Sequence, residues 1–375
     1  MIISENKETH HRSTTIARRL LSLDFMRGLI MVLLALESTG LYEHLFDATA
    51  GSPAQGFFLQ FFHHPWNGLR FWDLIQPGFM FIAGVAMAFS LKKQEALGLS
   101  WKERFGKIGK RCFWLFFWGV LDYAVRPKGL SFELWDVLTQ LSFTTLIAFL
   151  VFDWKFWYQV IFCIGLLLLI ECLYRFTHVS GFDQPFTDQH NFGNYVDLLL
   201  MNKINKGGWV AINCIPTAVH TIVGAIAGKF LLKNKKQVWP LIVWGAGTLL
   251  LGYLMDYTDI TPIIKRIATS SFTLASLGWC LLALSIFYWW IDIRDHKRRV
   301  QFFVIVGMNS IFIYLFFEIV GDRWFNGYVG AITNGVMKLA GTPDMLRLVI
   351  TSICIFVLEW LICYFLYRKK IFFKL

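Results

Sequence analysis

The chain has 375 residues, of which 56% are hydrophobic and only 16% charged, and its mean hydropathy is +0.52. Soluble domains carry about 25% charged residues, so this composition excludes an ordinary soluble protein. The net charge of +11 does not indicate nucleic acid as a partner, because the basic residues occupy short segments that alternate with apolar runs. No polar segment is long enough for a separate domain, and we expect a single domain over residues 1–375.

Apolar windows of about 20 residues predict ten membrane-spanning helices. They lie near residues 27–46, 72–91, 111–126, 134–152, 156–174, 208–231, 238–255, 269–291, 301–320 and 347–367. A short Gly-rich segment at 326–341 is predicted to be an external interfacial or re-entrant helix. The predicted fold is an all-α polytopic membrane protein.

The Lys and Arg residues predict its orientation. If the N-terminus is cytoplasmic, the inside segments carry 25 of the 36 basic residues, which favours cytoplasmic placement of both termini. The first 26 residues are polar and basic, so no cleavable signal peptide is expected. The loop at 47–71 then faces the outside and the basic loop at 91–111 faces the cytoplasm.

Polar residues in the first span need partners in a membrane. Asp24 and Arg27 are three residues apart on one helix face, which predicts an ion pair at the helix end. Glu37, next to Ser38, lies deeper. A carboxylate at that depth is costly, so we expect it to face the bundle interior and to have a partner or a function.

The stretch FFHHPWNGLRFWDLIQPGFMFIAG, residues 61–84, places His63 and His64 just before the second span, close to Trp66. One interpretation is an anchor at the membrane interface, where aromatic and amphipathic side chains gather. The other is acid–base or nucleophilic chemistry, for which imidazole is suited near neutral pH. The residues alone leave both open. Asp73 begins the next helix, where the helix dipole favours an acid.

Later spans also contain polar residues. Asn213, close to a proline, is expected to hydrogen-bond freed backbone or a ligand. His220 is expected to be a satisfied core histidine, and Gly224 to allow close helix packing. Asn309 and Ser310 lie near the middle of the ninth predicted span, where polar groups join helices or line a cavity.

Motifs of soluble enzymes, such as GxSxG, HExxH and Walker A, are absent from the sequence. The seven cysteines lie in or beside apolar runs without a CxxC pair, so neither a metal site nor a disulfide framework is predicted. Any chemistry must therefore depend on isolated polar residues within the bundle.

The segment RLLSLDFMRGLIMVLLALESTG, followed by HHPWNGLRFWDLIQPGFMFIAGVAMAFSL, resembles the core of the heparan-α-glucosaminide N-acetyltransferase family, within the YeiB-like transmembrane acyltransferases. Weaker similarity continues through GGWVAINCIPTAVHTIVGAIAGKFL to GMNSIFIYLFFEI, so the resemblance covers about residues 18–320. It implies that acetyl-CoA binds from the cytosolic side and that the acetyl group reaches the amine of a glucosamine-type sugar on the far side.

The resemblance also implies roles for single residues. The family's catalytic histidine lies three residues before the tryptophan of the block, which corresponds to His63, with His64 as the neighbouring alternative. It would accept the acetyl group or deprotonate the acceptor ammonium, supported by Asp73. The candidates for contact with acetyl-CoA are Asp24, Arg27, Lys107, Lys110, Arg111, Asn309 and Ser310. The candidates for contact with the acceptor are Glu37, Ser38, Trp66, Asn67, Gln140 and Asn213.

The chain departs from the family pattern at several acceptor-side positions. Ser38 replaces the family's first-span asparagine, and Gln140-Leu141 replaces its Gln-Arg pair. Asp197-Leu198 stands where the family has an external Asp-Arg pair, and Asn205-Lys206-Gly207-Gly208 stands where it has Asp-Pro-Glu-Gly. Two arginines and two acids are missing, which predicts an acceptor other than polyanionic heparan, such as an amino sugar of peptidoglycan, chitin or an outer-surface glycan. An amino-sugar permease of the NagX type is the alternative function.

The family's N-terminal lumenal domain is also missing, and with no signal peptide this predicts a bacterial inner-membrane protein. The expected partners are the lipid bilayer and a small amino sugar or glycan end. A homodimer is left open.

Overall fold

The computed structural model describes residues 20–125, 129–234 and 236–373. Most of the first 26 residues, in which no signal peptide is expected, lie outside the described residues. The helices are α1 (Leu21–Ser38), α2 (Leu41–Ala48), α3 (Pro53–Phe58), α4 (Ile75–Ala96), α5 (Trp101–Ala124), α6 (Val137–Leu150), α7 (Phe156–Phe176), α8 (Phe192–Met201), α9 (Cys214–Lys233), α10 (Trp239–Tyr257), α11 (Ser270–Phe287), α12 (Gln301–Gly307), α13 (Ser310–Leu315), α14 (Asn326–Leu339) and α15 (Asp344–Arg368). Short 3₁₀ turns cover Leu59–Phe61, Phe71–Leu74 and Ala211–Asn213, and π-helical turns cover Tyr288–Ile293 and Phe316–Phe325.

The predicted all-α class is confirmed, and several helices can cross a membrane by length and composition. Five do so singly: Phe71–Ala96, Phe156–Phe176, Ala211–Lys233, Ser270–Ile293 and Asp344–Arg368. A sixth would consist of Gln301–Gly307 and Ser310–Leu339, which meet at an angle of 73°. The chain is therefore a multi-pass membrane protein, whereas the count of ten spans and the cytoplasmic termini remain predictions.

Two predicted boundaries are wrong. Hydropathy predicts the first span at 27–46, but α1 begins at Leu21 and a turn at Gly40 separates it from α2. Gly40 has a φ of 73°, a left-handed conformation that ends the helix and that glycine adopts without a steric penalty. The basic stretch 91–111 is mostly helical rather than a loop, because Ser100 and Glu103 cap α5 reciprocally and start it ahead of the apolar run.

Helices α4 and α9 form the centre of the bundle and approach each other at glycine. A Cβ atom at Gly84 would overlap the Thr221 carbonyl oxygen, and one at Gly224 would overlap the Phe81 carbonyl oxygen. The expectation that Gly224 serves close packing is therefore confirmed. The large apolar side chains of α7, by contrast, are mostly exposed, which suits a helix at the lipid boundary.

We expect Gly224→Ala to destabilise the protein by roughly 1–3 kcal/mol, because the added methyl group must separate α4 from α9. Gly247→Ala in α10 is the matched control, since nothing lies within 4 Å of its Cβ position. That control is expected to be neutral or to stabilise by up to about 1 kcal/mol, as alanine favours helix. Thermal unfolding in detergent compares the two variants, and equal effects would contradict the packing argument.

Candidate active site

His63 stands at the end of the loop that leads into α4 and is held there by Asp73. Its Nδ1 lies 3.0 Å from Asp73 Oδ1. The other carboxylate oxygen of Asp73 accepts from the backbone N–H of His64 at 3.2 Å and of Arg70 at 2.8 Å. Arg70 Nη1 also donates to the carbonyl of His63 at 3.0 Å. Asp73 therefore fixes both the imidazole and the loop that carries it.

Lys265 reaches the same histidine from a loop about 200 residues later in the chain. Asn67 pairs with Ile264, and the Gly68 N–H donates to the Ile263 carbonyl at 2.8 Å. This pairing places Lys265 Nζ 3.0 Å from His63 Nδ1 and 3.8 Å from Asp73 Oδ1. Its side chain is only 6% exposed.

The two neighbours of His63 Nδ1 require opposite protonation states of that nitrogen. Asp73 accepts a proton from that nitrogen, whereas the Lys265 ammonium needs it as an acceptor. One nitrogen cannot do both at once, so the two contacts belong to different tautomers. When Nδ1–H donates to Asp73, the lone pair lies on Nε2, which has no hydrogen bond within the described residues. This tautomer makes His63 a base, in the arrangement that orients catalytic histidines.

Burial and the charge of Lys265 together lower the pKa of His63 from its ordinary 6.5 to about 4, against the opposing effect of Asp73. The imidazole is therefore neutral at physiological pH. Burial also lowers the pKa of Lys265, to about 8. The pKa of His63 is lower in the folded chain than in the unfolded one, so the unfolded state binds more protons between about pH 4 and 6.5. Acidification through that window therefore lowers the free energy of unfolding.

His63 faces a cavity of about 270 Å³, which we name the His63 cavity. Aromatic and acidic side chains dominate its lining. Trp209 stands edge-on to His63, 5.5 Å between ring centres, and Lys265 Nζ lies 4.9 Å from the centre of the Trp209 ring. Glu37 accepts from Trp72 Nε1 at 2.9 Å. The rest of the wall includes Gln76, Tyr123, Trp135, Asp136 and Glu318.

A second cavity has a volume of about 540 Å³ and is named the Arg27 cavity. Arg27 and Arg111 are its basic groups, and Asp24 lies 3.7 Å from Arg27. Most of the remaining wall is apolar, from α1, α4, α6 and α13. The break between α12 and α13 exposes Ser310 to this space, in keeping with the rule that irregular backbone within a membrane lines a cavity.

The two cavities share a wall formed by Phe79, Val137 and Tyr314. The Tyr314 hydroxyl donates to Asp136 Oδ2 at 2.9 Å, and Asp136 Oδ1 in turn accepts from the Leu138 N–H at 2.7 Å to cap α6. A group that passed this wall would travel from the arginines to His63.

Curated relatives of the chain share one name. The chain is 24% identical to mouse heparan-alpha-glucosaminide N-acetyltransferase and 23% identical to the human protein of the same name, over 96% and 97% of its own length. These alignments cover 61% of each relative. No protein-family model matches the chain.

The chain is therefore similar to the heparan-α-glucosaminide N-acetyltransferases over nearly its whole length, and it spans less than two thirds of the length of these relatives. Because the alignments cover nearly the whole chain, both cavities lie within the part that aligns with them.

Several residues predicted to contact acetyl-CoA line the Arg27 cavity, and others do not. Asp24, Arg27, Arg111 and Ser310 are there. Lys107 and Lys110 are exposed on α5, outside the lining. Asn309 is fully buried but bonds to the C-terminal segment instead: its Nδ2 donates to the Ile371 carbonyl at 3.1 Å.

Of the residues predicted to contact the acceptor, Glu37 alone lines the His63 cavity. Ser38 donates to the Ala35 carbonyl, Trp66 to the Phe186 carbonyl and Asn213 to the Arg266 carbonyl. Asn67 is exposed in the bridge to Ile264, and Gln140 accepts from Gln76 behind the wall. These side chains shape the loops and the bundle around the cavity.

His64 and His220 are placed away from the cavities. The His64 ring packs against Gly68, and its buried Nδ1 has no partner within the described residues. His220 Nε2 lies 2.9 Å from Ser276 Oγ in the core, which confirms that His220 is a core residue, but its buried Nδ1 has no hydrogen-bond partner within the described residues, so the histidine is only half satisfied. Of the two adjacent histidines, the cavity therefore receives His63.

Sequence reasoning missed Lys265, Trp209 and Tyr314. The one sequence signal for Lys265 is that a basic residue lies among isoleucines in IIKRIATSS, between two predicted spans. Trp209 and Tyr314 had none, since aromatic residues are common throughout the chain.

Asp197, the remaining acid of the family's external pair, is structural in this chain. It accepts from the Ala211 N–H and from Trp135 Nε1, both at 2.9 Å, and burial raises its pKa to about 7. Through Trp135 it shapes the His63 cavity without lining it.

Proposed function

We propose that the chain transfers an acetyl group from acetyl-CoA, held in the Arg27 cavity on the cytoplasmic side, to the amine of an amino sugar in the His63 cavity on the external side. The observation that carries this proposal is the pair of cavities with different chemistry and one shared wall. The family relationship supports the reaction class.

The residues of the Arg27 cavity fit acetyl-CoA. Arg27 and Arg111 offer planar guanidinium groups suited to phosphates. The apolar wall, including Ile82 and Leu141, suits the uncharged pantetheine arm. When bound there, acetyl-CoA would supply an acetyl thioester, which an unprotonated amine can attack.

His63 acts as the base. With Nδ1–H donated to Asp73, Nε2 takes a proton from the acceptor ammonium and leaves an amine with a free electron pair. A new C–N bond forms as the thioester C–S bond breaks, and His63 Nε2 returns its proton to the leaving sulfur. The neutral Nε2 then takes the second proton from the acylated nitrogen and releases it to solvent, which leaves the N-acetyl sugar and the free thiol. Formation of an acetylated His63 is the alternative course, and mass spectrometry of the peptide at 61–70 would detect it.

Trp209 and Glu37 recognise the acceptor in this proposal. An indole face binds the apolar face of a sugar ring, and a carboxylate attracts an ammonium group. The missing family arginines leave no dedicated site for sulfate or uronate groups at those positions. We therefore propose an uncharged or cationic amino sugar as acceptor rather than a polyanionic chain.

An amino-sugar permease of the NagX type is the second candidate, because two cavities divided by a thin wall also suit alternating access. The deciding test gives purified protein labelled acetyl-CoA and a panel of amino sugars, then measures N-acetylated product. Product above the level of a protein-free control supports the transferase. Amino-sugar uptake into proteoliposomes without any acetyl donor, together with no product, supports the permease.

Blocking the shared wall should separate donor binding from transfer. Val137→Trp adds bulk at the wall between the cavities, and we expect transfer to fall about 100-fold while CoA binds within threefold of the wild-type affinity. Val137→Ala is the matched control and should retain transfer. Calorimetry with CoA and product formation measure the two properties, and normal transfer by Val137→Trp would show that the group does not cross there.

A further inference from the structure

The C-terminal segment folds back against the Arg27 cavity. Helix α15 ends at Arg368, and Lys370 adopts a left-handed conformation with a φ of 57° that reverses the chain. The extended residues that follow place Phe372 and Phe373 in the cavity wall. The Phe373 ring also lies 5.9 Å from that of Phe312 on α13.

One buried side chain fastens this segment. Asn309 is fully buried at the break between α12 and α13. Its Nδ2 donates to the Ile371 carbonyl at 3.1 Å, and its Oδ1 accepts from the Phe373 N–H at 3.0 Å. The Asn309 carboxamide thus donates to and accepts from the backbone on the two sides of Phe372, as a neighbouring β-strand would. These two bonds hold Phe372 and Phe373 against the cavity.

We propose that Asn309 is a positioning residue for the donor substrate, and that residues 371–373 form a clamp that closes one side of the Arg27 cavity over bound CoA. The clamp supplies two aromatic rings to the wall, while the arginines supply charge. This inference rests on the proposed function, because it assigns the clamp to the site proposed for acetyl-CoA.

The clamp predicts a change in affinity without a change in chemistry. Loss of either hydrogen bond frees the two rings, so CoA loses apolar contacts at one wall while His63 and Lys265 are untouched. Asn309→Ala should weaken CoA binding about tenfold. The KM for acetyl-CoA should rise by the same factor, with kcat within twofold of wild type.

The experiment measures CoA affinity by calorimetry for the full-length protein in detergent. Asn309→Ala is compared with Phe373→Pro, which removes the N–H that Asn309 accepts, and with the double variant. Phe373→Ala keeps that N–H and reports the ring alone. Because Phe373 is about half exposed beyond the last helix, its substitution tests the clamp even where Asn309→Ala lowers the unfolding temperature.

The expected result is that Asn309→Ala and Phe373→Pro each weaken CoA about tenfold and that the double variant is no weaker than either alone. Independent effects that multiply to about a hundredfold, or CoA affinity within twofold of wild type for both single variants, would overturn the clamp. Failure of wild-type protein to bind CoA would overturn the donor site itself, and the clamp with it.

Discussion

Replacement of His63 by alanine is expected to reduce kcat for acetyl transfer about a thousandfold, within the range for loss of a general base. The acceptor ammonium then lacks the imidazole base, and Asp73 cannot take its place because Asp73 is 1% exposed and turned toward the loop. CoA affinity should stay within threefold of wild type, because the Arg27 cavity does not include His63. Product formation at saturating substrates and calorimetry with CoA measure the two effects.

His64→Ala is the matched control for this experiment. The His64 ring packs against Gly68 and lies outside the cavity lining, so its loss should affect stability more than transfer. We expect kcat within fivefold of wild type and a lower unfolding temperature. Transfer that survives in the His63 variant but fails in the His64 variant would reverse the assignment, and transfer that survives in both would exclude a histidine mechanism.

Lys265→Met is expected to move the acid limb of the pH dependence of kcat toward neutral pH. Burial and the Lys265 charge both lower the pKa of His63, to about 4, whereas Asp73 raises it. Without the cation, the pKa of His63 rises, because one of the two main causes that lower it is removed while burial remains. At acid pH a larger fraction of His63 is then protonated, so we expect kcat at pH 5 relative to kcat at pH 7.5 to fall several-fold.

Lys265→Arg is the control, because it keeps the positive charge beside His63. It should leave the acid limb in place. The alkaline side offers a second check: the pKa of Lys265 is lowered to about 8, so any decline of wild-type kcat through that pH should vanish in Lys265→Met. An acid limb that is the same in wild type and Lys265→Met would show that this cation does not tune the histidine.

Periodicity and charge in the sequence were enough to predict the helical class and most helix positions, because apolar runs of the length of a bilayer have few other solutions. They misplaced the first span because Gly40 ends α1 inside an apolar run. Charge patterning also predicts a loop at 91–111, because the many charged residues there give no apolar run, although the segment contains the capped start of α5. Local caps and left-handed residues, rather than hydropathy, set these boundaries.

The candidate site was predictable only in part. His63 and Asp73 lie ten residues apart and appeared together in one block. Lys265 could not be paired with them, because a bridge between Asn67 and Ile264 joins loops far apart in the chain. The contact of Asn309 with acetyl-CoA stays a prediction, whereas its hydrogen bonds to the C-terminal segment had no signal in the sequence. Polarity in a span indicates that a residue matters, but its partner depends on the tertiary packing.

The most direct test of the account is transfer across a sealed membrane. Proteoliposomes with labelled acetyl-CoA inside and an impermeant amino sugar outside, or the reverse, contain the two substrates in separate compartments. Protein oriented with its Arg27 cavity toward the acetyl-CoA should label the sugar across the bilayer, and His63→Ala should abolish that label. Labelling only when donor and acceptor share one compartment would contradict the account.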